Sequence, residues 1–279
     1  MPKLWIVGTP LGNLGDFSPR AVDTLRKADF IAAEDTRVTV KLLNHFGIHT
    51  PIVSYHEHNR VGAGERILAR IQSGETCALV TDAGMPAISD PGTDLVDACH
   101  RTGVPVETVP GASAFATAVA ASGFPAGRFT FEGFLSVTKK QRREHFESLR
   151  EETRTMVFYE APHKLPNTLQ DFAALFGDRP LCICRELTKL HEEIIRTTCT
   201  EAYERFGQGG LKGELVLIVQ GKPPQEQEKP ACTLEEALGT ARRLRSAGLT
   251  ASMAAKEAAK QTGLPKSEIY RLLAEEEAP

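Results

Sequence analysis

From residue 4 to residue 109 the chain alternates short apolar runs with stretches of helical spacing, and that alternation limits the folds open to it. Residues 4–8, 30–33, 51–55, 77–81 and 104–109 are too short for helices and read as buried strands. Helices fill the intervals. Ser18-Pro19 offers an N-cap and a first-turn proline. Residues 40–46 end at Gly47, and residues 64–72 and 93–101 fit the remaining gaps. Parallel neighbours need a crossover of helical length, so the pattern predicts a mainly parallel sheet in an α/β domain.

The pattern breaks at Ser122-Gly-Phe-Pro-Ala-Gly127. Beyond it lie strands at 129–135, 155–159, 181–184, 194–198 and 214–219, with helices at 139–152, 165–176 and 200–206. The wider spacing predicts a second α/β domain with a mixed sheet. We therefore expect domains at 1–122 and 123–222, a polar proline-rich linker at 223–231, and a small all-α module at 232–279. In that module Thr233-Leu-Glu-Glu236 is a capping box. Gly248, Thr250, Gly263 and Pro265 then divide the segment into short helices of helix-turn-helix type, with the third, 266–273, exposed.

Charge decides what such a chain can bind. The net charge of −3 excludes a globally cationic nucleic-acid binder, so contact with nucleic acid must be local. One basic patch exists: Arg242, Arg243, Arg245, Lys256, Lys260, Lys266 and Arg271, opposed by Glu257 and Glu268. No apolar run reaches the roughly 18 residues of a membrane span. The N-terminus reads as a strand rather than a signal peptide, so a cytoplasmic protein without membrane contact is expected. The cysteines at 77, 99, 182, 184, 199 and 232 form no CxxC pair and read as reduced core thiols. His56 and His58, two apart, would share a face on a strand, but with no third ligand no metal site is expected.

Several turns carry the chemistry. Gly8-Thr-Pro-Leu-Gly12-Asn-Leu-Gly15 follows the first strand, but it is neither G-x-G-x-x-G nor a Walker A loop. Its glycines admit a ligand to the backbone or merely form a turn. Thr81-Asp-Ala-Gly-Met-Pro-Ala-Ile-Ser-Asp-Pro-Gly92 puts Asp82 at the carboxyl end of a strand, where open α/β sheets bind ligands. Its Ser89-Asp90-Pro91 also reads as a helix cap. Ser113, in Pro110-Gly-Ala-Ser-Ala114, is either an N-cap or part of a ligand cradle. Phe158-Tyr-Glu-Ala-Pro-His163 and Arg185-Glu-Leu-Thr-Lys-Leu-His-Glu192 place charged and aromatic groups after strands of the second half, as a site or as a surface ion-pair set.

Together with Ala33-Glu-Asp-Thr-Arg37, Ser54-Tyr-His-Glu-His-Asn59 and Gly213-Glu214, these segments occur in the order and spacing of one family. Residues 4–221 resemble the 16S ribosomal RNA cytidine-2′-O-methyltransferases of the tetrapyrrole methylase superfamily, and the helical module is similar to the one these enzymes carry. The resemblance implies a two-domain class III methyltransferase fold, and S-adenosylmethionine bound in the cleft between the domains. It implies a homodimer and a target cytidine, position 1402 of the small-subunit RNA in the family. DNA and metal are not expected as partners. The positions similar to cofactor contacts are Pro10, Asp82, Met85, Ser113, Ala114, Tyr159, Gly213 and Glu214. Gly8-Thr-Pro-Leu-Gly12 stands where the superfamily has G-x-G-x-G.

The reaction so implied is an in-line displacement by a ribose 2′-oxygen on the sulfonium methyl. Orientation contributes roughly 7–11 kcal/mol. A base, or a cation stabilising the alkoxide, adds roughly 10²–10⁴-fold. Among Glu34, His56, Glu57, Glu160, Arg185 and Lys189, the expected catalytic set is Lys189 or Arg185 as the cation with Glu160 and Glu34 as nearby carboxylates. RNA contacts are expected from Arg37, His56, Arg242, Arg243, Lys256, Lys266 and Arg271. The competing readings are a precorrin-type methylase of the same superfamily and a non-catalytic RNA-binding protein.

Overall fold

The computed structural model describes residues 1–223 and 233–275; most of the expected linker, Cys232 and the last four residues lie outside the described residues. Residues 1–222 form one compact unit and 223–279 another. The first unit holds two five-stranded sheets.

The first sheet contains β1 (Lys3–Val7), β2 (Phe30–Ala33), β3 (Ile52–Ser54), β4 (Thr76–Val80) and β5 (Val106–Val109) in the order β3-β2-β4-β1-β5, all parallel. Helices α1 (Pro19–Lys27) and α2 (Thr36–His45) cover one face, over Leu25, Ile31 and Leu43. Helices α3 (Arg60–Gln72) and α4 (Thr93–Arg101) cover the other, over Phe30, Ile67, Leu79 and Leu95. β1 and β4 are neighbours whose following helices lie on opposite faces. The crevice at their carboxyl ends is thus a topological switch point.

Local chemistry explains departures from the sequence expectation. α2 starts at Thr36, earlier than expected, because the Asp35 carboxylate caps it by accepting the Arg37 backbone N–H at 2.8 Å. β3 stops at Ser54, so His56 and His58 sit in a turn, not on one strand face. α4 is preceded by Gly92 at φ 150°, a conformation favouring glycine, so Ser89 and Asp90 do not cap it. Ser113 occupies the N-cap position of α5 (Ala114–Ser122) but makes no side-chain capping bond. α6 (Lys139–Ser148) is shorter than expected.

The second sheet orders β6 (Phe129–Phe134), β7 (Thr155–Glu160), β8 (Pro180–Arg185), β9 (Glu193–Thr198) and β10 (Leu215–Val219) as β6-β7-β10-β8-β9. Only β6 and β7 pair in parallel, so the sheet is mixed as expected. One face packs on α6, α7 (Leu165–Phe176) and α8 (Cys199–Phe206) through Phe146, Phe158, Phe172 and Phe176. The other packs on α5 through Ala118 and Val119, so the chain passes to the second sheet at the 110–113 turn. Cys182 and Cys184 share that face, with sulfurs 3.9 Å apart, and all five described cysteines are buried and unpaired. No helix among the described residues is long and apolar enough to cross a membrane.

In the second unit α9 (Leu234–Ser246), α10 (Ala251–Thr262) and α11 (Lys266–Glu275) pack on one another through Ala237, Ala241, Ala255, Ala258 and Ile269. Alanine permits close helix approach. The Thr233–Glu236 capping box opens α9, and Gly263 at φ 78° closes α10, as expected.

Candidate active site

At the switch point three turns are stitched together through backbone. Thr9 N–H donates to the Gly84 carbonyl at 2.9 Å, and Gly84 N–H returns to Thr9 at 3.1 Å. The Thr9 hydroxyl donates to the Thr81 carbonyl at 3.1 Å. Gly8 lies so close to Gly111 that a Cβ on either would sit within 2.9 Å of the other's backbone. Gly111 N–H donates to the Met85 sulfur at 3.3 Å. The first-loop glycine therefore lets turn approach turn, which its sequence context left open against ligand approach.

The second sheet and α5 contribute an aromatic wall. Phe115 and Phe131 have centroids 4.9 Å apart; Tyr159 meets Phe131 at 5.0 Å and Phe134 at 5.3 Å, edge to face. The Tyr159 hydroxyl accepts the Phe115 backbone N–H at 3.1 Å, and burial pushes its pKa up. Between turns and wall lies a cavity of about 310 Å³, within the usual size of small-molecule sites. Of the expected cofactor positions, Met85, Ser113, Ala114, Tyr159, Gly213 and Glu214 line it. Pro10 and Asp82 do not: Pro10 is buried behind the first turn, and Asp82 accepts the Asp35 backbone N–H at 3.1 Å.

Carboxylates gather at this rim. Burial, reinforced by the charges of Glu34 and Asp82 against a Thr81 hydrogen bond, raises Asp90 to about 6, and Asp90 lines the cavity. Asp82 is raised by burial and by Glu34. Glu34 accepts the Thr81 hydroxyl at 2.7 Å. Asp90 is the functional candidate that sequence reasoning missed, because Ser-Asp-Pro before a helix imitates a cap. The signal that could have revealed it is Gly92, a better start for α4.

The expected catalytic residues are not brought together at the cavity. Glu160 lines it, but one oxygen accepts the Ala161 N–H at 2.8 Å and the other the Thr168 hydroxyl, so this buried carboxylate anchors α7. Arg185 is tied to the Lys212 carbonyl at 2.7 Å and to Glu193 at 3.1 Å. Lys189 is bonded to Glu186 at 3.0 Å and to Glu214 at 3.2 Å, and its chain fills the space a Cβ on Gly12 would need. Burial works against its charge, but the two carboxylates outweigh it and hold its pKa above the ordinary value. Lys189 is therefore a cation at neutral pH. Glu186 and Thr188 hold positive φ of 52° and 64°, strained for residues with side chains, in the loop that presents Lys189.

Of the expected RNA contacts in the first unit, Arg37 is exposed but paired with Asp35 at 2.6 Å. His56 has a buried Nδ1 without a partner among the described residues. In the second unit Arg242, Arg243, Lys256, Lys266 and Arg271 are all exposed, with Arg271 paired to Glu275 at 3.1 Å.

Residues 3–203 match the family described as Tetrapyrrole (Corrin/Porphyrin) Methylases. The chain is 46% identical over 279 residues to the Ribosomal RNA small subunit methyltransferase I of Synechocystis sp., covering 100% of this chain and 99% of that protein. It is 48% identical over 222 residues to the protein of the same name from Thermotoga maritima, covering 80% of this chain and 100% of that one. Among solved structures, uroporphyrin-III C-methyltransferase from Thermus thermophilus, complexed with S-adenosylhomocysteine, superposes with a TM-score of 0.53 at 18% identity, covering 78% of this chain and 97% of that one.

Proposed function

We propose that this chain, which belongs to the tetrapyrrole methylase family and within it to the ribosomal RNA small subunit methyltransferase I proteins, methylates a cytidine ribose 2′-oxygen in 16S ribosomal RNA with S-adenosylmethionine as donor. The observation that carries this reading is the cavity at the β1–β4 crevice. Its composition suits the donor. Backbone turns at Gly84-Met85, Ser113-Ala114 and Gly213-Glu214 offer hydrogen bonds, Phe115 and Tyr159 of the aromatic wall offer an apolar slot, and Asp90 brings a carboxyl to the lining.

Bound S-adenosylmethionine would supply an already activated methyl group. The chain's own contribution is orientation and proton handling. We assign Asp90 as the acceptor of the ribose hydroxyl proton at its carboxylate, since a carboxyl near 6 is ionised at neutral pH yet more basic than an ordinary one. Lys189 we assign as a positioning residue that holds the Gly213-Glu214 side of the wall through Glu214. The chemistry thereby moves from the Lys189–Arg185 set expected from sequence to Asp90. RNA would be held by the exposed Arg242, Arg243, Lys256, Lys266 and Arg271 of the second unit and by Arg37 and His56 of the first. A homodimer and a cytoplasmic location complete the reading, on the family resemblance and on the substrate.

Purified protein, labelled donor and unmodified small ribosomal subunits test it. Nuclease digestion should yield labelled 2′-O-methylcytidine; label appearing only on a macrocycle, or on no RNA, overturns it. Deleting residues 223–279, a unit of its own, should leave donor binding intact while weakening RNA binding and flattening its salt dependence.

A further inference from the structure

β6 contains a device that its own packing does not need. Its pairing with β7 runs Phe131 to Val157, then slips, so that Gly133 faces Phe158 and Phe134 faces Tyr159. Side chains alternate along a strand. In regular register Phe134 would therefore point to the same side as Phe158, into the core shared with Phe146 and Phe172. The extra residue, Glu132, reverses this and puts Phe134 on the cavity side. Bulges are rare in parallel pairs and recur beside active sites. Gly133 makes the slip at φ 62°, with open space around its Cβ position, so glycine serves conformation there and not packing.

The phenyl ring gains little burial from this arrangement. Phe134 is 60% exposed, although it lines the cavity and rests edge-on against Tyr159 at 5.3 Å. Ile88 of the opposite lobe, at 53%, is the other large apolar side chain of the lining left exposed among the described residues. The bulged Glu132 is also used: it binds His145 at 2.8 Å, fixing α6 beside the bulge. The first turns of α6 carry Lys139, Lys140 and Arg143, all exposed, and neither Lys139 nor Arg143 has an acidic partner among the described residues. An exposed aromatic at a cavity mouth with cations close by is what a splayed-out nucleotide requires: a face for the base and charges for the flanking phosphates.

We propose that Phe134, presented by the Glu132–Gly133 bulge, is the platform on which the base of the target nucleotide stacks while its ribose enters the cavity. The inference rests on the RNA-methylating reading above. A cavity of about 310 Å³ is of single-ligand size, so with the donor bound the ribose would reach in from the mouth and the base would rest at the rim. Phe134 is thus a positioning residue for the acceptor and not for the donor.

The test uses the full chain, unmodified small ribosomal subunits and labelled donor. Phe134→Ala should lower kcat/KM for RNA roughly 5- to 150-fold, the factor that base–aromatic stacking of about 1–3 kcal/mol represents. The loss should fall on KM more than on kcat, with donor affinity by calorimetry and thermal unfolding unchanged. Phe134→Trp should restore kcat/KM to within about threefold. Wild-type activity in Phe134→Ala overturns the inference, as does a parallel loss of donor affinity, which would make Phe134 part of the donor's wall. A shift of oligomeric state in Phe134→Ala also overturns it, making the ring a protein contact. If the wild-type protein transfers no methyl group to RNA, the functional reading itself fails, an outcome distinct from normal wild-type activity with an indifferent Phe134.

Discussion

The two sheets build the same cavity by different means. The parallel sheet supplies backbone: Gly8, Gly84 and Gly111 bring turns into contact, and Thr9 and Gly84 exchange hydrogen bonds as a short bridge. The mixed sheet supplies side chains, an aromatic row and a strained loop carrying Lys189. The difference concerns tolerance. A backbone contact has no rotamer with which to accommodate an added atom, whereas a side-chain wall can lose a group and relax. Substitutions should therefore be costliest where the first sheet's turns meet and progressively milder across the cavity.

The largest effect is expected at Gly111. A Cβ there would lie 2.8 Å from the Gly8 Cα and carbonyl carbon and 2.9 Å from its oxygen. Overpacking of this kind costs roughly 1–3 kcal/mol. Gly111→Ala should therefore lower Tm by roughly 2–12 °C, at about 2–4 °C per kcal/mol for a unit of this size. Donor affinity should drop more than tenfold, because Ser113 and Ala114 follow directly. Calorimetry and thermal unfolding read both. A Gly111→Ala protein with unaltered donor affinity would remove the distinction between the two sides.

Across the cavity, Lys189→Ala should have a smaller effect. It frees Glu186 and Glu214, which are 20% and 73% exposed, so solvent screens much of the loss. A cost of about 1 kcal/mol corresponds to roughly fivefold weaker donor binding with kcat nearly retained. A kcat loss of a hundredfold with donor affinity intact would instead place the Lys189 ammonium on the reacting oxygen, and the second sheet would then supply chemistry as well as shape.

The same contrast explains how far the sequence could be read. Short apolar runs and punctuating glycines located every strand to within two residues, because a buried parallel strand must be apolar throughout. Met85, Ser113 and Ala114 fall on the cavity lining, since turns after strands have few places to go in a doubly wound sheet, and Tyr159, Gly213 and Glu214 reach it from the mixed sheet. What stayed hidden depends on three-dimensional neighbours. Glu160 is a charged residue at the end of a strand in sequence, yet Thr168, in the first turn of α7, consumes its oxygen. Lys189 is crowded by carboxylates only after Gly213-Glu214 folds against its loop. The Phe134 bulge leaves no mark in an apolar run beyond an unremarkable Gly133.

Asp90 sharpens the comparison, as the one titratable side chain that the first sheet's turns offer to the cavity among the described residues, and its effect on stability should be the smallest. Burial raises its pKa from the model-compound 3.8 to about 6, with Glu34 adding to the shift. A carboxyl whose folded pKa lies above its unfolded one binds more protons folded than unfolded. Its contribution to stability therefore falls as pH rises from about 4 to about 6 and stays unfavourable above that. Asp90 is only partly buried, so solvent reduces the effect to about 1 kcal/mol. Asp90→Asn, measured without donor, should raise Tm by roughly 2–4 °C at pH 8, and by clearly less at pH 5, where the native carboxyl is already protonated. The same variant should lose the acid limb of the pH–rate profile that an Asp90 proton acceptor produces. Equal Tm gains at both pH values would mean that shape, not charge, decides at this position, and the proton acceptor would have to be sought elsewhere on the rim.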